Sequence, residues 1–328
     1  MKKLADNNLL TRFLRHEITP IFCVLVVFFV VVGFMAPNFI TYNNITSVFM
    51  NMSITGMVAL GMGLVMISGG IDLSVGWMMS AVGSAIAYMM VYMDIDPMIA
   101  AFAGVLLSMA MGTFMGFLIS RTKIEPFIIS LGFMSAYQGI TYLITGAREI
   151  RLEPGMFEFL GKTRIFDIFL PIYIFVFMTV VLWLILKYTR YGRRVYAVGG
   201  NFNAAYLAGI NVKNFKMGIY TINGFIVSVA AMTYISRLGT GSPLIGLDKE
   251  IDAIAAAVVG GVAMSGGKGN MWGVFIGVVL LAFISNALNL LGVSPFYQYL
   301  LKGVFIVGSV LISYYGGAHE ISSKRKAT

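Results

Sequence analysis

The stretch "ITPIFCVLVVFFVVVGFM", Ile18 to Met35, contains no charged residue over 18 positions. A run of about 20 apolar residues is what a helix needs to cross hydrocarbon. Backbone polar groups find no water there, so only helices and closed barrels can span. Long apolar runs recur down the chain, and the fold they permit is a bundle of membrane helices. Composition agrees: of 328 residues, 59% are hydrophobic and 11% charged, with a mean hydropathy of +0.87. Soluble domains are nearer half apolar and a quarter charged. The first run has a long apolar core and no small-residue cleavage site before "APNFITYNN", so it reads as a retained helix and not a cleaved signal.

Runs bounded by Pro, Gly, Asn or charge predict about ten helices, near 18–36, 45–69, 74–92, 97–120, 126–146, 168–188, 216–238, 250–265, 271–292 and 296–315. The expected fold class is all-α: one polytopic membrane domain over 1–328, with broken or re-entrant elements. The run at 250–265 is short for a span. Both it and 45–69 run into "SGG", which suits a helix interrupted inside the bundle.

Lys and Arg collect on the cytoplasmic side of helical membrane proteins. Placing both termini inside puts Arg121, Lys123, Lys187, Arg190, Arg193, Arg194, Lys213, Lys216, Lys268 and the basic terminal residues in cytoplasmic segments. Outer segments then hold Arg148, Arg151, Lys162, Arg164, Arg237 and Lys249 among eight carboxylates. This arrangement needs an even number of spans. The net charge of +9 follows these loops and forms no stripe with stacking aromatics, so nucleic-acid binding is excluded.

"ISGGIDLSVGWMM" (Ile67 to Met79) aligns without gaps on "MSGGKGNMWGVFI" (Met264 to Ile276). Ser68, Gly69, Gly70 and Gly76 fall on Ser265, Gly266, Gly267 and Gly273, and Ala59 and Gly63 fall on Ala256 and Gly260. An internal repeat whose copies face each other is expected, as in many transporters.

No constellation for catalysis is present. His16 and His319 lie in or near the terminal tails without a second ligand, and the single cysteine, Cys23, supports neither a disulfide nor a thiolate metal site. "GGVAMSGGKG" superficially matches a phosphate loop, but Val262 stands where the first glycine belongs and Gly269 follows Lys268 where Ser or Thr is needed. No catalytic residue, metal or cofactor is assigned.

The longest inner segment, 189–216, reads "TRYGRRVYAVGGNFNAAYLAGINVKNFK". Asn201 can cap a short helix over 202–208, and Gly209 can end it in the left-handed conformation. One face would carry Phe202, Ala205 and Tyr206, the other Ala204, Leu207 and Ala208. The segment is either a solvated connector or a knob through which a soluble partner moves the membrane helices.

Four stretches in order, "ALGMGLVMISGGIDLSVG", "RYGRRVYAVGGNFNAAYLAGINV", "EIDAIAAAVVGGVAMSGGKG" and "NALNLLGVSPFYQYLLKG", resemble the membrane permease of monosaccharide ABC importers of the ribose type. The similarity runs from about Asn38 to Ile312. It implies a dimeric ten-helix pore, cytoplasmic ATP-binding subunits, and an extracytoplasmic sugar-binding protein that delivers the sugar. By the same resemblance, Gly199, Gly200, Asn201, Ala204, Ala205, Gly209 and Ile210 match the ATPase-coupling loop. Gly70, Asp72, Ser74 and Gly76 match a helix break in the translocation unit. Gly69 beside them, and Ser265, Gly266 and Gly267 in the aligned copy, complete that candidate set. One departure is Val262 and Ala263, where the family often carries Thr after "GG".

Asp72, among glycines, has three readings: proton relay, sugar ligand, or an acceptor for free amides where a helix restarts; the last is preferred. Asn286 and Asn289 share a helix face and either line a hydrophilic path or bond a neighbouring helix. Lys302 is expected to snorkel, Glu250 and Asp252 to serve the start of a short helix, and Trp77, Trp183 and Trp272 to anchor or pack. The outer loop 147–168 is either a contact for the delivery protein or a solvated turn. The expected function is a sugar-importer permease in the bacterial inner membrane, powered by partner subunits. The alternative is an ion-gradient-driven transporter, weakened by the scarcity of carboxylates in the apolar runs.

Overall fold

The computed structural model describes residues 19–294, 296–300, 303–304 and 307–308. Lys302, His16, His319, both termini and parts of the 296–315 helix lie outside the described residues.

Among the described residues, seven helices are long and apolar enough to cross a membrane: α2 (Tyr42–Ile67), α3 (Val75–Tyr92), α4 (Pro97–Arg121), α5 (Pro126–Thr145), α7 (Leu170–Tyr188), α10 (Val212–Leu238) and α12 (Met271–Leu290). A shorter apolar helix, α1 (Thr19–Met35), precedes them. Between the spans lie α6 (Phe159–Lys162), α8 (Arg190–Gly200), α9 (Phe202–Leu207) and α11 (Lys249–Val259). The chain is not purely helical: β1 (Ile150–Arg151) pairs antiparallel with β4 (Thr240–Gly241), and β2 (Arg164–Ile165) with β3 (Ile168–Phe169).

Local chemistry sets many of the ends. Proline stands in the first turn of α4, α5 and α7, where its missing N–H is not needed. Asp96 accepts from the amides of Met98 and Ile99 at the start of α4. Asn270 accepts from Trp272 N–H at the start of α12 (2.9 Å) and Asn211 from Asn214 N–H at the start of α10 (3.2 Å). That last cap explains why α10 begins at Val212, earlier than its first fully apolar stretch.

The centre of the bundle is α2, almost wholly buried from Met52 to Ile67, with α7, α10, α11 and α12 packed around it. The tightest crossing is α4 on α10. A side chain at Gly112 would run into the Tyr220 carbonyl, and one at Gly224 into that of Ser108. Ser108 Oγ donates to Gly224 O across the contact at 2.6 Å. Close backbone approach of this kind is how membrane helices gain packing energy without a hydrophobic drive between them.

The loop 147–168 is not a bare solvated turn. Ile150 and Phe157 are buried, and Gly161 N–H donates to Ser236 Oγ at 2.8 Å. Lys162 hydrogen-bonds Glu158 one turn away and holds that carboxyl below its usual range. The tip of the β2–β3 hairpin, Phe166 and Asp167, has both residues at positive φ. This is the pairing a tight two-residue turn demands.

Candidate functional site

Three separate stretches meet at one end of α2. Gly199, in the last turn of α8, lies so close to the carbonyl of Ile67 that a β-carbon there would collide with it, and would come within 2.7 Å of the Gly267 amide nitrogen. Gly267 N–H donates to Ile67 O at 2.8 Å. A β-carbon at Gly266 would come within 2.7 Å of Gly69 Cα, and one at Gly267 within 2.6 Å of Gly200 Cα. Gly69, Gly199, Gly200, Gly266 and Gly267 therefore meet backbone on backbone, and at Gly199, Gly266 and Gly267 there is no room for a β-carbon, while Gly69 has the left-handed φ that glycine favours. Tyr196 of α8 adds a bond from its hydroxyl to Gly269 O at 2.8 Å.

The two "SGG" turns are neighbours in this junction and begin alike, with Gly69 at φ +79° and Gly266 at φ +81°, each amide bonding the carbonyl three residues back; they diverge at the next residue, where Gly267 is left-handed (φ +73°) and Gly70 is not. After α2, Gly69 has φ +79° and Gly70 N–H bonds back to Val65 O (3.1 Å). The same closing pattern recurs at Gly261 (φ +86°) with Val262 N–H to Ala257 O (2.9 Å). It is the helix-ending motif in which a left-handed glycine lets the next amide reach back over the last turn. The expected helix over 250–265 accordingly stops at Val259. Of the aligned pair, Gly69 and Gly266 share the left-handed conformation, but only Gly69 directly ends a helix.

From the junction the chain enters the predicted short helix. Asn201 Oδ1 accepts from Ala204 N–H at 2.9 Å, α9 follows, and Gly209 has φ +81°. The predicted faces are not the observed ones. Ala205 is 3% exposed and packs with Val198, Val212 and Ile210, which fixes α9 against its own scaffold. Ala204 is exposed, as are Tyr206 (67%) and Leu207 (84%). The unburied apolar knob is thus Tyr206–Leu207 with Phe202 beside it. Tyr191 holds α8 on α10 by a ring contact with Phe215 at 4.8 Å. Burial pushes its phenol up to about 12.

Asp72 is fully buried. Its Oδ1 accepts from Ser74 N–H (2.9 Å) and Ser74 Oγ–H (2.6 Å), and its Oδ2 accepts from Asn223 Nδ2 of α10 (2.8 Å). The carboxylate closes a turn ahead of α3 and does not reach that helix's own first-turn amides; it also ties the break to a second span. Gly70 lies against the Tyr220 hydroxyl, and Gly76 against Gly246 and Glu250. Glu250 is buried in the first turn of α11, so it does more than decorate a helix end. Asn223 escaped the sequence reading, although a lone amide inside "YTINGFIVSV" is the kind of polar group that membrane helices keep bonded.

At the other end of α2 a cavity of ≈ 370 Å³ lies between α2, α10, α11 and α12. Asn286 and Asn289 line it, as do Asn51, Thr55, Arg237 and Lys249. Asn286 also exchanges a reciprocal amide pair with Asn44 (2.9 and 2.8 Å), and Asn289 Oδ1 accepts from Gln298 Nε2 (2.6 Å). The two asparagines thus face a polar space and bond neighbouring segments at once. Arg237 donates to Asn51 Oδ1 (2.7 Å) and Lys249 Nζ to Thr55 Oγ1 (3.0 Å). The polar stripe Asn44, Asn51, Thr55 at helical spacing on α2 was the missed signal. Trp77 packs in the core edge-on to Tyr142 (5.6 Å), and Trp183 and Trp272 meet at 6.5 Å.

The family described as "Branched-chain amino acid transport system / permease component" matches residues 44–310. The chain is 35% identical over 292 residues to the ribose import permease protein of Escherichia coli strain K12, covering 88% of this chain and 91% of that protein. It is 37% identical over 288 residues to the ribose import permease protein of Bacillus subtilis strain 168, covering 86% and 88%. It is 34% identical over 293 residues to the D-allose transport system permease protein of Escherichia coli strain K12, covering 89% and 90%. No solved structure matches the chain. A family match over most of the chain, with relatives above 30% identity along nearly their whole length, makes this chain a member of the ribose-type family of ABC importer permeases.

Proposed function

We propose that this chain carries a monosaccharide across the bacterial inner membrane as the permease of an ATP-driven importer, by alternating access. The family-wide description names branched-chain amino acids, whereas relatives matched over most of their length are sugar permeases. The sugar class follows the latter. ATP hydrolysis belongs to cytoplasmic partner subunits, which seat on the Tyr206–Leu207 knob of α9. An extracytoplasmic sugar-binding protein delivers the substrate to the opposite face, over the folded 147–168 segment. Two copies of the chain, each with about ten spans and both termini in the cytoplasm, make the complete translocation unit within membrane lipid.

The observation that carries this reading is the glycine junction. A handle whose backbone is interlocked with the ends of two membrane segments passes on a rigid displacement where a flexible tether would absorb it. The pull on α9 reaches α2 through Ile67 and Gly69, and the α11–α12 connection through Gly266 and Gly267.

Reconstitution tests it. Vesicles holding the chain with its ATP-binding and sugar-binding partners are expected to accumulate labelled D-ribose, D-allose or L-arabinose only when ATP is supplied on the cytoplasmic side. Accumulation by the chain alone on an imposed proton or sodium gradient would overturn the proposal in favour of ion coupling.

A further inference from the structure

We infer that the ≈ 370 Å³ cavity between α2, α10, α11 and α12 is a binding station for one neutral monosaccharide inside each permease chain, held chiefly by Arg237, Asn51, Thr55, Lys249 and Asp252. The inference rests on the sugar-importer reading and gives that reading a site.

Size comes first. Ligand pockets run from about 300 to 1,000 Å³, so this cavity stands at the small end, suited to one sugar ring. Chemistry comes second. Polar and ionisable side chains among membrane helices are costly and collect where a substrate or water passes. Here two cations, a carboxylate, amides and a hydroxyl share one wall system with Tyr234, Met52 and Leu281. Sugar hydroxyls both donate and accept, and their ring carbons present an apolar face. A lining with both donors and acceptors plus apolar patches matches that better than it matches an ion of either sign.

Arg237 is the anchor. A guanidinium offers five donors, and the bond to Asn51 Oδ1 is the one this side chain makes among the described residues. No ion pair ties that guanidinium among the described residues, which leaves donors for a ligand. Asn51, exposed at the rim, orients Arg237 and marks the entrance.

Position comes third. Thr55 lies 12 residues before Ile67 on α2, about 18 Å at 1.5 Å per residue. Asp252, Ala255 and Ala256 of α11 line the cavity, while the segment after α11 enters the glycine junction. Two of the four elements that wall the cavity, α2 and α11, therefore lead directly into the junction, so a pull at one end can change the shape at the other.

The test uses the assembled importer in vesicles, with D-ribose, D-allose and L-arabinose as probes. In a Cys23→Ser background, Asn51→Cys is expected to react with a membrane-impermeant thiol reagent, and the sugar that is transported should slow that reaction several-fold. Thr55→Trp, which fills the cavity, should abolish uptake while partner subunits still co-purify. Arg237→Met should raise the half-saturating sugar concentration roughly tenfold or more, as expected for losing a hydrogen bond to a charged group, and Arg237→Lys should recover part of it. Uptake by the wild type with unprotected Asn51→Cys and an unaffected Arg237→Met variant would overturn the station and leave the importer reading intact. Should Thr55→Trp fail to insert, protection of the thiol still decides. A wild-type assembly that moves none of the three sugars on ATP would overturn the importer reading itself.

Discussion

Asp72 joins two spans through three hydrogen bonds in a place with no exposure. Replacing it with leucine strands Ser74 N–H and Asn223 Nδ2, each a buried donor whose loss of partner costs about 1–3 kcal/mol, and leaves Ser74 Oγ–H only the weak acceptor Met115 Sδ. Asparagine keeps an acceptor for Ser74, and Asn223 can rotate its amide to present oxygen to the new NH₂ group. Asp72→Asn is expected to hold its thermal midpoint in detergent within a few degrees of wild type, and Asp72→Leu to fall far below it. Differential scanning fluorimetry reads both; equal losses would show that the charge, and not acceptance of hydrogen bonds, is what the site needs. Asn44 and Asn286 offer a second residue-scale test. Their reciprocal pair (2.9 and 2.8 Å) leaves an unpaired amide when one partner is lost, so Asn44→Ala and Asn286→Ala should each lower the midpoint. The double variant should lose less than the sum of the two.

At the scale of elements, α9 is held by one small buried face and presents the other outward. Leu207→Asp should leave the thermal midpoint unchanged, since Leu207 is 84% exposed, and reduce ATP-driven uptake about tenfold or more if that face seats a partner. Ala205→Glu should lower the midpoint as well, because it forces a charge between Val198 and Val212. An unchanged uptake rate for Leu207→Asp would remove the docking role of α9. The sequence made the helix itself legible, because its signals are local: Asn201 at the cap and Gly209 at the left-handed stop. It did not reveal which face turns inward, since Val198 and Val212 lie on flanking elements whose approach is tertiary. The same contrast explains α11. Hydropathy carries the apolar run onward through Val262 and Ala263, but the paired glycines at 260–261 let the backbone close its last turn at Val259. Most span ends came within a few residues because Pro, Asn and Gly mark them directly.

Across the whole molecule, α2 and α11 link a polar cavity at one end to a glycine junction at the other, and α8–α9 stand on the junction. None of this long-range placement could be read from spacing. The repeat predicts that the two "SGG" stretches face each other, but nothing local to either shows that Gly199 stands between them. Gly199→Ala places a methyl group against the Ile67 carbonyl and the Gly267 amide. It should leave ATP hydrolysis by the assembled importer running while sugar uptake drops. The ratio of sugar moved to ATP consumed measures this, and an unchanged ratio would deny the junction its role in transmission.

The most direct test places α9 and the β2–β3 hairpin on their sides of the membrane. The span α7 is 19 residues long, about 28 Å along a helix, so Phe166 and Leu207 flank opposite ends of that span. With Cys23→Ser as background, Leu207→Cys should crosslink to an ATP-binding subunit and resist an impermeant thiol reagent added outside intact cells, while Phe166→Cys should react with it. Labelling of Leu207→Cys from outside, or a crosslink from Phe166→Cys to the ATP-binding subunit in its place, would contradict a permease driven through α9.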